Sequence, residues 1–339
     1  MIIQLQPQLK TEQKENIMST LASLGYKANE VQTQYGSYLI GIGKGSIDPR
    51  RIGVLEGVKD IHIVSDSFQL TSRKWKVNQT VIDLGDGVKI GGDEFSIMAG
   101  PCSIETEEQI RSVLGHLKEE GIKIMRGGVY KPRSSPYSFR GLGIDGLKLW
   151  ASLAKEYGIK IITEVMQVSQ IESMIDYIDI FQVGARNTQN FNLLDALGEV
   201  DKPVLLKRGI SGTIDELLHS AEYIFSGGNE RIMLCERGIR TYEKAYRNTM
   251  DINAIAVLKE KTHLPVISDP SHGIGIRDFV EPVALASILA GADGVIYETH
   301  PIPQKAFSDA QQTVSFEASR EMIRKIRATH QLKQQNFKG

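Results

Sequence analysis

Two rhythms of hydrophobic and polar positions divide the chain. At the N-terminus the runs are short and mixed. Ile2-Ile-Gln-Leu5 reads as a strand. Ile17, Leu21 and Leu24 recur at helical spacing behind Thr11, which can cap a helix, and Gly25 ends it. Residues 30–34 and 38–42 read as two strands around Tyr35-Gly-Ser37. Asp48-Pro49 opens a short helix with Ile52 and Leu55, Gly57 stops it, and residues 58–64 form a last strand. The order βαββαβ is the split βαβ, ferredoxin-like pattern. It holds no cluster of catalytic side chains. Residues 72–78 are polar around Trp75 and read as a linker, and residues 81–90 read as a hairpin turning at Asp86-Gly87.

From Phe95 the rhythm changes. Short apolar runs alternate with amphipathic stretches. The runs, at residues 95–99, 122–125, 160–163, 180–183, 203–206, 231–235, 265–268 and 294–297, predict strands. The stretches between and after them predict helices over residues 107–120, 146–157, 169–177, 190–197, 213–225, 251–261, 282–290 and 315–330. Eight such units predict an α/β fold with a (β/α)8 TIM barrel. An open doubly wound sheet is the rival, but it rarely needs eight uninterrupted units. The expected organisation is a ferredoxin-like (ACT-like) domain over residues 1–70, a linker and hairpin over 71–94, and a barrel over 95–339.

Bulk composition narrows the partners. The 339 residues carry 40 Lys+Arg against 41 Asp+Glu, a formal net charge of −1. A nucleic-acid binder would show a domain-scale basic excess, and none is present. No apolar run reaches bilayer length, and no basic segment followed by an apolar one opens the chain. Cys102 and Cys235 are too few for a disulfide framework, so the cytoplasm is the expected compartment.

Barrel chemistry collects after the strands, and there the cations concentrate. Arg126, Lys131 and Arg133 lie in one glycine- and proline-broken stretch; Arg186, Lys207 and Arg237 follow later strands. One such cation is commonly a salt-bridge partner. Several at one mouth repel each other unless an anion neutralises them. Scattered ion pairs are the alternative to a small ligand bearing phosphate and carboxylate groups, which match Arg forks and Lys point charges. A second set follows strands one, seven and eight: Cys102, His272 and Glu298, with Asp309 in the loop beyond. Thiolate, imidazole and two carboxylates can hold a divalent ion; a lone His after a strand is more often a hydrogen-bonded structural residue. Glu164 could position water or sit in an ion pair. Cys235 ends the apolar run Ile232-Met-Leu-Cys235 and reads as packing.

The motifs Ala99-Gly-Pro-Cys-Ser103, Lys131-Pro-Arg-Ser134, Gly184-Ala-Arg-Asn187, Leu206-Lys-Arg-Gly209, Cys235-Glu-Arg-Gly238 and Asp269-Pro-Ser-His272 resemble those of the 3-deoxy-D-arabino-heptulosonate 7-phosphate (DAHP) synthases. The likeness is to the type I-beta subgroup with a ferredoxin-like N-terminal domain, and it covers nearly the whole chain. It implies condensation of phosphoenolpyruvate with erythrose 4-phosphate, the first step of the shikimate pathway. It implies a divalent metal ion (manganese, iron, cobalt, zinc or similar) on Cys102, His272, Glu298 and Asp309. Arg186, Lys207 and Arg237 would grip the phosphoenolpyruvate phosphate, and Arg126 and Lys131 its carboxylate. Pro132, Arg133 and Ser134 would hold the sugar phosphate; the family often has threonine at the last of these, and serine keeps the hydroxyl. Lys131, Cys102 and His272 would be catalytic. The resemblance also implies tyrosine or phenylalanine as an effector and a homotetramer. The nearest relatives, the 3-deoxy-D-manno-octulosonate 8-phosphate synthases, use arabinose 5-phosphate; the Lys131-Pro-Arg-Ser134 loop and the N-terminal domain favour the heptulosonate reading. A non-catalytic phosphosugar sensor is a third alternative, and the metal quartet argues against it.

Overall fold

An antiparallel sheet with two helices comes first, built from β1 (Ile2–Leu5), α1 (Thr11–Ser23), β2 (Tyr26–Gln32), β3 (Ser37–Gly43), α2 (Arg50–Gly53) and β4 (Val58–His62). Its strand order, β2-β3-β1-β4, is that of the ferredoxin-like fold. The structure, a computed structural model, describes residues 1–43, 47–132 and 137–336. Ile3, Ile17, Leu21, Leu39 and Ile52 make the core of this sheet. The second strand starts at Tyr26, earlier than the sequence predicts. It is an edge strand paired along its length with β3, from Tyr26 opposite Gly43 to Gln32 opposite Ser37. Its mostly solvated face leaves little apolar alternation to read.

The hairpin β5 (Ile82–Asp83) and β6 (Lys89–Ile90) then leads into the barrel. The barrel elements are β7 (Ser96–Gly100), α3 (Glu107–Glu119), β8 (Ile124–Gly127), α4 (Gly143–Tyr157), β9 (Lys160–Val165), α5 (Ser169–Met174), β10 (Ile180–Val183), α6 (Phe191–Gly198), β11 (Val204–Lys207) and α7 (Ile214–Ser226). They continue through β12 (Ile232–Glu236), α8 (Ile252–Lys261), β13 (Val266–Ser268), α9 (Pro270–Ile274), α10 (Arg277–Leu289), β14 (Gly294–Glu298) and α11 (Phe316–Asn336). β7 to β14 close into a parallel barrel, with β14 pairing to β7. This is the expected (β/α)8 fold.

The period of two along each strand layers the interior. Met98, Ile124, Ile162, Ile180, Leu205, Met233, Ile267 and Ile296 fill the lower part, and Ile82, Val88 and Ile90 of the hairpin join the same cluster. The hairpin therefore plugs the amino-terminal end of the barrel. Two residues further along four of these strands, the same inward phase brings Arg126, Glu164, Lys207 and Glu298. Cys235 lies in the apolar cluster, as its run suggests, and burial pushes its thiol pKa up.

Three local features do not follow from the sequence pattern. Within the polar linker segment, Trp75 is buried: it is 8% exposed, donates from its indole N–H to the Leu70 carbonyl at 2.8 Å, and meets Tyr38, Phe225 and His263 edge-on. The Glu222 carboxylate on α7 accepts backbone N–H bonds from Gln69, Leu70 and Thr71 at 2.9, 2.8 and 3.0 Å. These contacts seat the N-terminal sheet against the barrel. Next, α10 begins at Arg277, with Pro282 inside it. Proline at a helix start is common, but here the earlier turn is fixed by tertiary contacts: Arg277 donates to the Thr313 and Ala310 carbonyls at 2.6 and 2.5 Å. Finally, α9 is one helical turn that periodicity cannot reveal; it carries His272.

Candidate active site at the carboxyl end of the barrel

The Asp269-Pro-Ser-His272 motif explains itself as a helix start. Asp269 is the N-cap of α9 and Pro270 stands in its first turn. One Asp269 oxygen, Oδ1, accepts from the His272 backbone N–H at 3.0 Å. The other, Oδ2, faces the His272 Nδ1 at 2.8 Å and accepts from Lys207 Nζ at 2.5 Å. An Nδ1–H given to this carboxylate leaves the Nε2 lone pair free. Burial would push the Asp269 carboxyl up, but His272 and Lys207 outweigh it and hold its pKa well below the usual range. The Ser271 hydroxyl accepts from the backbone N–H of Glu298 at 2.9 Å, tying α9 to the end of β14.

His272 Nε2 lies 3.5 Å from Glu298 Oε1 and 4.0 Å from Asp309 Oδ2. Cys102 Sγ is 3.2 Å from Asp309 Oδ2. Cys102, Glu298 and Asp309 offer ligand atoms that all fall within 4.8 Å of one another. The four candidate metal ligands are thus gathered in one place. Gly100, with φ of +155°, makes this possible: a Cβ there would stand 2.1 Å from the Arg126 carbonyl oxygen, so only glycine lets β7 turn toward Cys102 beside β8. Burial, then the nearby Glu298 charge, pushes the Cys102 thiol up to about 12. Burial opposes ionisation of Asp309 as well, but His272 and Arg247 bring its pKa down to about 2.

Arg126 lies within β8, not in the loop after it, and is 5% exposed. Its Nη1 donates to Glu298 Oε1 at 2.9 Å and to the Pro101 carbonyl at 3.0 Å, while its buried Nε has no partner among the described residues. Burial disfavours its charge, yet Glu298 raises its pKa above the ordinary value. Glu164 lies inside β9 and lines the cavity described next. Arg208, which follows Lys207, is buried and paired with Glu236 and Asp251 at 2.8 and 2.9 Å. Glu236 in turn accepts from the Gly238 backbone N–H at 2.6 Å, which holds the backbone on either side of Arg237.

Above the ligand cluster opens a cavity of about 260 Å³ whose lining includes Lys131, Pro132, Arg186, Arg237, His272 and Asp309. Arg240, Arg247 and Asn248 line it too. Sequence reading missed these three because they lie well past the end of β12, beyond the first few loop residues. Lys131 arches back and donates from Nζ to the Cys102 carbonyl at 2.7 Å. Among the described residues, Lys131, Arg186, Arg237 and Arg240 make no ion pair, whereas Arg126, Lys207, Arg208 and Arg247 each do. Cations in excess over the Glu164 and Asp309 carboxylates on one concavity fit an anionic ligand. Arg133 and Ser134 lie outside the described residues.

A sequence model of the DAHP synthetase I family matches residues 76–335. The phospho-2-dehydro-3-deoxyheptonate aldolase of Thermotoga maritima is 44% identical over 328 residues, covering 96% of this chain and 97% of its own length. A 2-dehydro-3-deoxyphosphooctonate aldolase of Acidithiobacillus ferrooxidans is 31% identical over 72% of this chain and 92% of its own length. Among solved structures, that of the Thermotoga maritima aldolase, a DAHP synthase, superimposes with a TM-score of 0.78 at 43% identity, over 98% of this chain and 97% of that one. A truncated form of the Thermotoga maritima synthase gives a TM-score of 0.74 at 46% identity, over 79% of this chain and 98% of that one.

Proposed function

The chain belongs to the DAHP synthetase I family, and from that premise we infer the chemistry of the cavity and the role of each residue around it. The enzyme condenses phosphoenolpyruvate with erythrose 4-phosphate and water to give DAHP and phosphate. The observation that carries the residue assignment is the convergence of cations that make no ion pair among the described residues with the Cys102, His272, Glu298 and Asp309 cluster at one barrel end.

Arg186, Lys207 and Arg237 bind the phosphoenolpyruvate phosphate. Arg126, through its unpartnered Nε, and Lys131 bind its carboxylate. Pro132, Arg133 and Ser134 hold the sugar phosphate. The donor set of thiolate, imidazole and two carboxylates fits a divalent transition ion, and an ion held there supplies Lewis acidity toward the aldehyde oxygen. Carbon 3 of phosphoenolpyruvate adds to the aldehyde carbon. Lys131 Nζ, tethered above Cys102, gives a proton to the new alkoxide. Water adds at carbon 2, positioned by Glu164, and expulsion of phosphate completes the exchange. The burial of Arg126, Lys207 and Arg237 strengthens each of their charge interactions.

The N-terminal sheet is a regulatory domain for tyrosine or phenylalanine, and the enzyme works as a cytoplasmic homotetramer. No helix among the described residues is long and apolar enough to cross a membrane. The octonate aldolases share less of the chain and less identity than the heptonate aldolase. Phosphate release with erythrose 4-phosphate against arabinose 5-phosphate tests the substrate. The four-carbon sugar is expected to be used preferentially; preference for the five-carbon sugar would overturn the reading.

A further inference from the structure

Each of the two carboxylates at the centre shows one oxygen to the other ligands and has the second tied back. Glu298 turns Oε1 to His272 and Arg126, while Oε2 accepts from Gln312 Nε2 at 2.7 Å. Asp309 turns Oδ2 to Cys102 and His272, while Oδ1 accepts from Arg247 Nη1 at 3.1 Å. The two ties are joined: the same Arg247 Nη1 donates to Gln312 Oε1 at 2.9 Å. A single chain, Asp309–Arg247–Gln312–Glu298, thus runs behind both carboxylates and spans the loops after β12 and β14.

The chain is built into the fold at both ends. Gln312 is fully buried, and both ends of its amide are used. A buried amide with both partners met has one orientation. Asp309 has a φ of +51°, and its carbonyl accepts from the backbone N–H of Gln312 at 3.1 Å, so the turn that presents one carboxylate also places the amide behind the other. Arg247 comes in from the rim with its side chain 37% exposed, and its backbone N–H donates to the Ile274 carbonyl at 3.2 Å. It packs against Gly275, where a Cβ would stand 2.4 Å from the Arg247 Cβ.

We propose that Arg247 and Gln312 are positioning residues, a bracket that aims one oxygen each of Glu298 and Asp309 at a divalent ion and so sets how tightly it is held. The proposal rests on reading the centre as a metal site. Without the bracket, each carboxylate can rotate or offer both oxygens, and the ion's geometry is no longer fixed. Outer partners of metal ligands commonly act in this way. Arg247 carries a positive charge, which by itself opposes cation binding; Gln312 is neutral and isolates the orienting effect.

The test is a titration of the metal-free full-length protein with Co²⁺ alone, read by calorimetry and by the cobalt absorption spectrum. The parent, Gln312→Leu, Arg247→Gln and the double variant are compared. Each single variant is expected to bind Co²⁺ about 10- to 100-fold more weakly, with an altered spectrum, while the metal-free protein still melts in one cooperative transition. The double variant should lose little more than the weaker single, because the two residues act through one chain. Co²⁺ affinities within about twofold of the parent for both singles would overturn the bracket. If Gln312→Leu fails to fold, Arg247→Met asks the same question from the exposed rim, since it removes both bonds of the bracket and leaves the amide buried; unchanged affinity there also overturns the bracket. A parent that binds no Co²⁺ would overturn the metal reading and the bracket with it.

Discussion

The two ends of the barrel are made from the same strands and differ in almost every property. At the amino-terminal end, Ile124, Leu205, Met233 and Ile296 pack under the apolar hairpin, with no charge among them. Two residues further along β8, β11 and β14 stand Arg126, Lys207 and Glu298, all buried and charged. Removing charges from water costs several kcal/mol each, and pairing only partly offsets it. The lower layer is therefore where the barrel gains stability. The upper layer concentrates buried charge at a cost to stability, as the proposed ligand site requires.

Substitutions at the two ends should separate these roles. The largest effect is expected at the top. Cys102→Ala should lower kcat by on the order of 10³-fold or more, as removal of a Lewis acid worth several kcal/mol requires, while calorimetry finds the metal-free melting temperature little changed. Met233→Ala should do the reverse. Urea denaturation should show about 2–5 kcal/mol of lost stability, with kcat/KM near the parent value at 25 °C. If Met233→Ala impaired turnover as much as Cys102→Ala, the division between the layers would fail.

Lys207→Met comes next. It removes a charged donor from the proposed phosphate site and leaves Asp269 to His272 alone. Steady-state kinetics should show kcat/KM for phosphoenolpyruvate lowered by about 10²-fold, with a much smaller change for erythrose 4-phosphate. Equal losses for the two substrates would move Lys207 out of the phosphate site.

The smallest effect lies at the seam between the N-terminal sheet and the barrel. His263 is buried between the Thr80 hydroxyl and the Leu70 carbonyl, at 2.8 Å from each. Burial, then the Lys76 charge, pushes its pKa down to about 3 from an ordinary 6.5. Below 6.5 the unfolded chain takes up a proton that the folded one refuses. The contribution is therefore full above about 6.5 and is lost as pH falls toward 3, by at most roughly 1.4 kcal/mol per pH unit. Thermal melts at pH 7 and pH 5 should show a larger drop for the parent than for His263→Gln. Equal drops would mean that this imidazole is not held neutral.

Much of the fold was legible because the eight barrel strands are largely buried on both faces and read as short, mostly apolar runs. The edge strand β2 was cut short because one solvated face hides alternation, and α9 was missed because a single turn has no period. At the site, Cys102, His272 and Glu298 were legible because they stand at strand ends, where barrel chemistry gathers. Arg247 and Gln312 were not singled out. Their importance lies in hydrogen bonds between loops far apart in sequence, which no local pattern records. Trp75 misled for a related reason: its polar neighbours suggest solvent, while its partners come from the sheet on one side and the barrel on the other.

The account turns on a charged upper layer that gathers two phosphorylated reactants beside a bound ion. Phosphate release from phosphoenolpyruvate and erythrose 4-phosphate, measured in chelator and again after Mn²⁺ is restored, tests this most directly. The account predicts that chelated enzyme still binds phosphoenolpyruvate but releases no phosphate, and that Mn²⁺ restores turnover. Full turnover in chelator would contradict it.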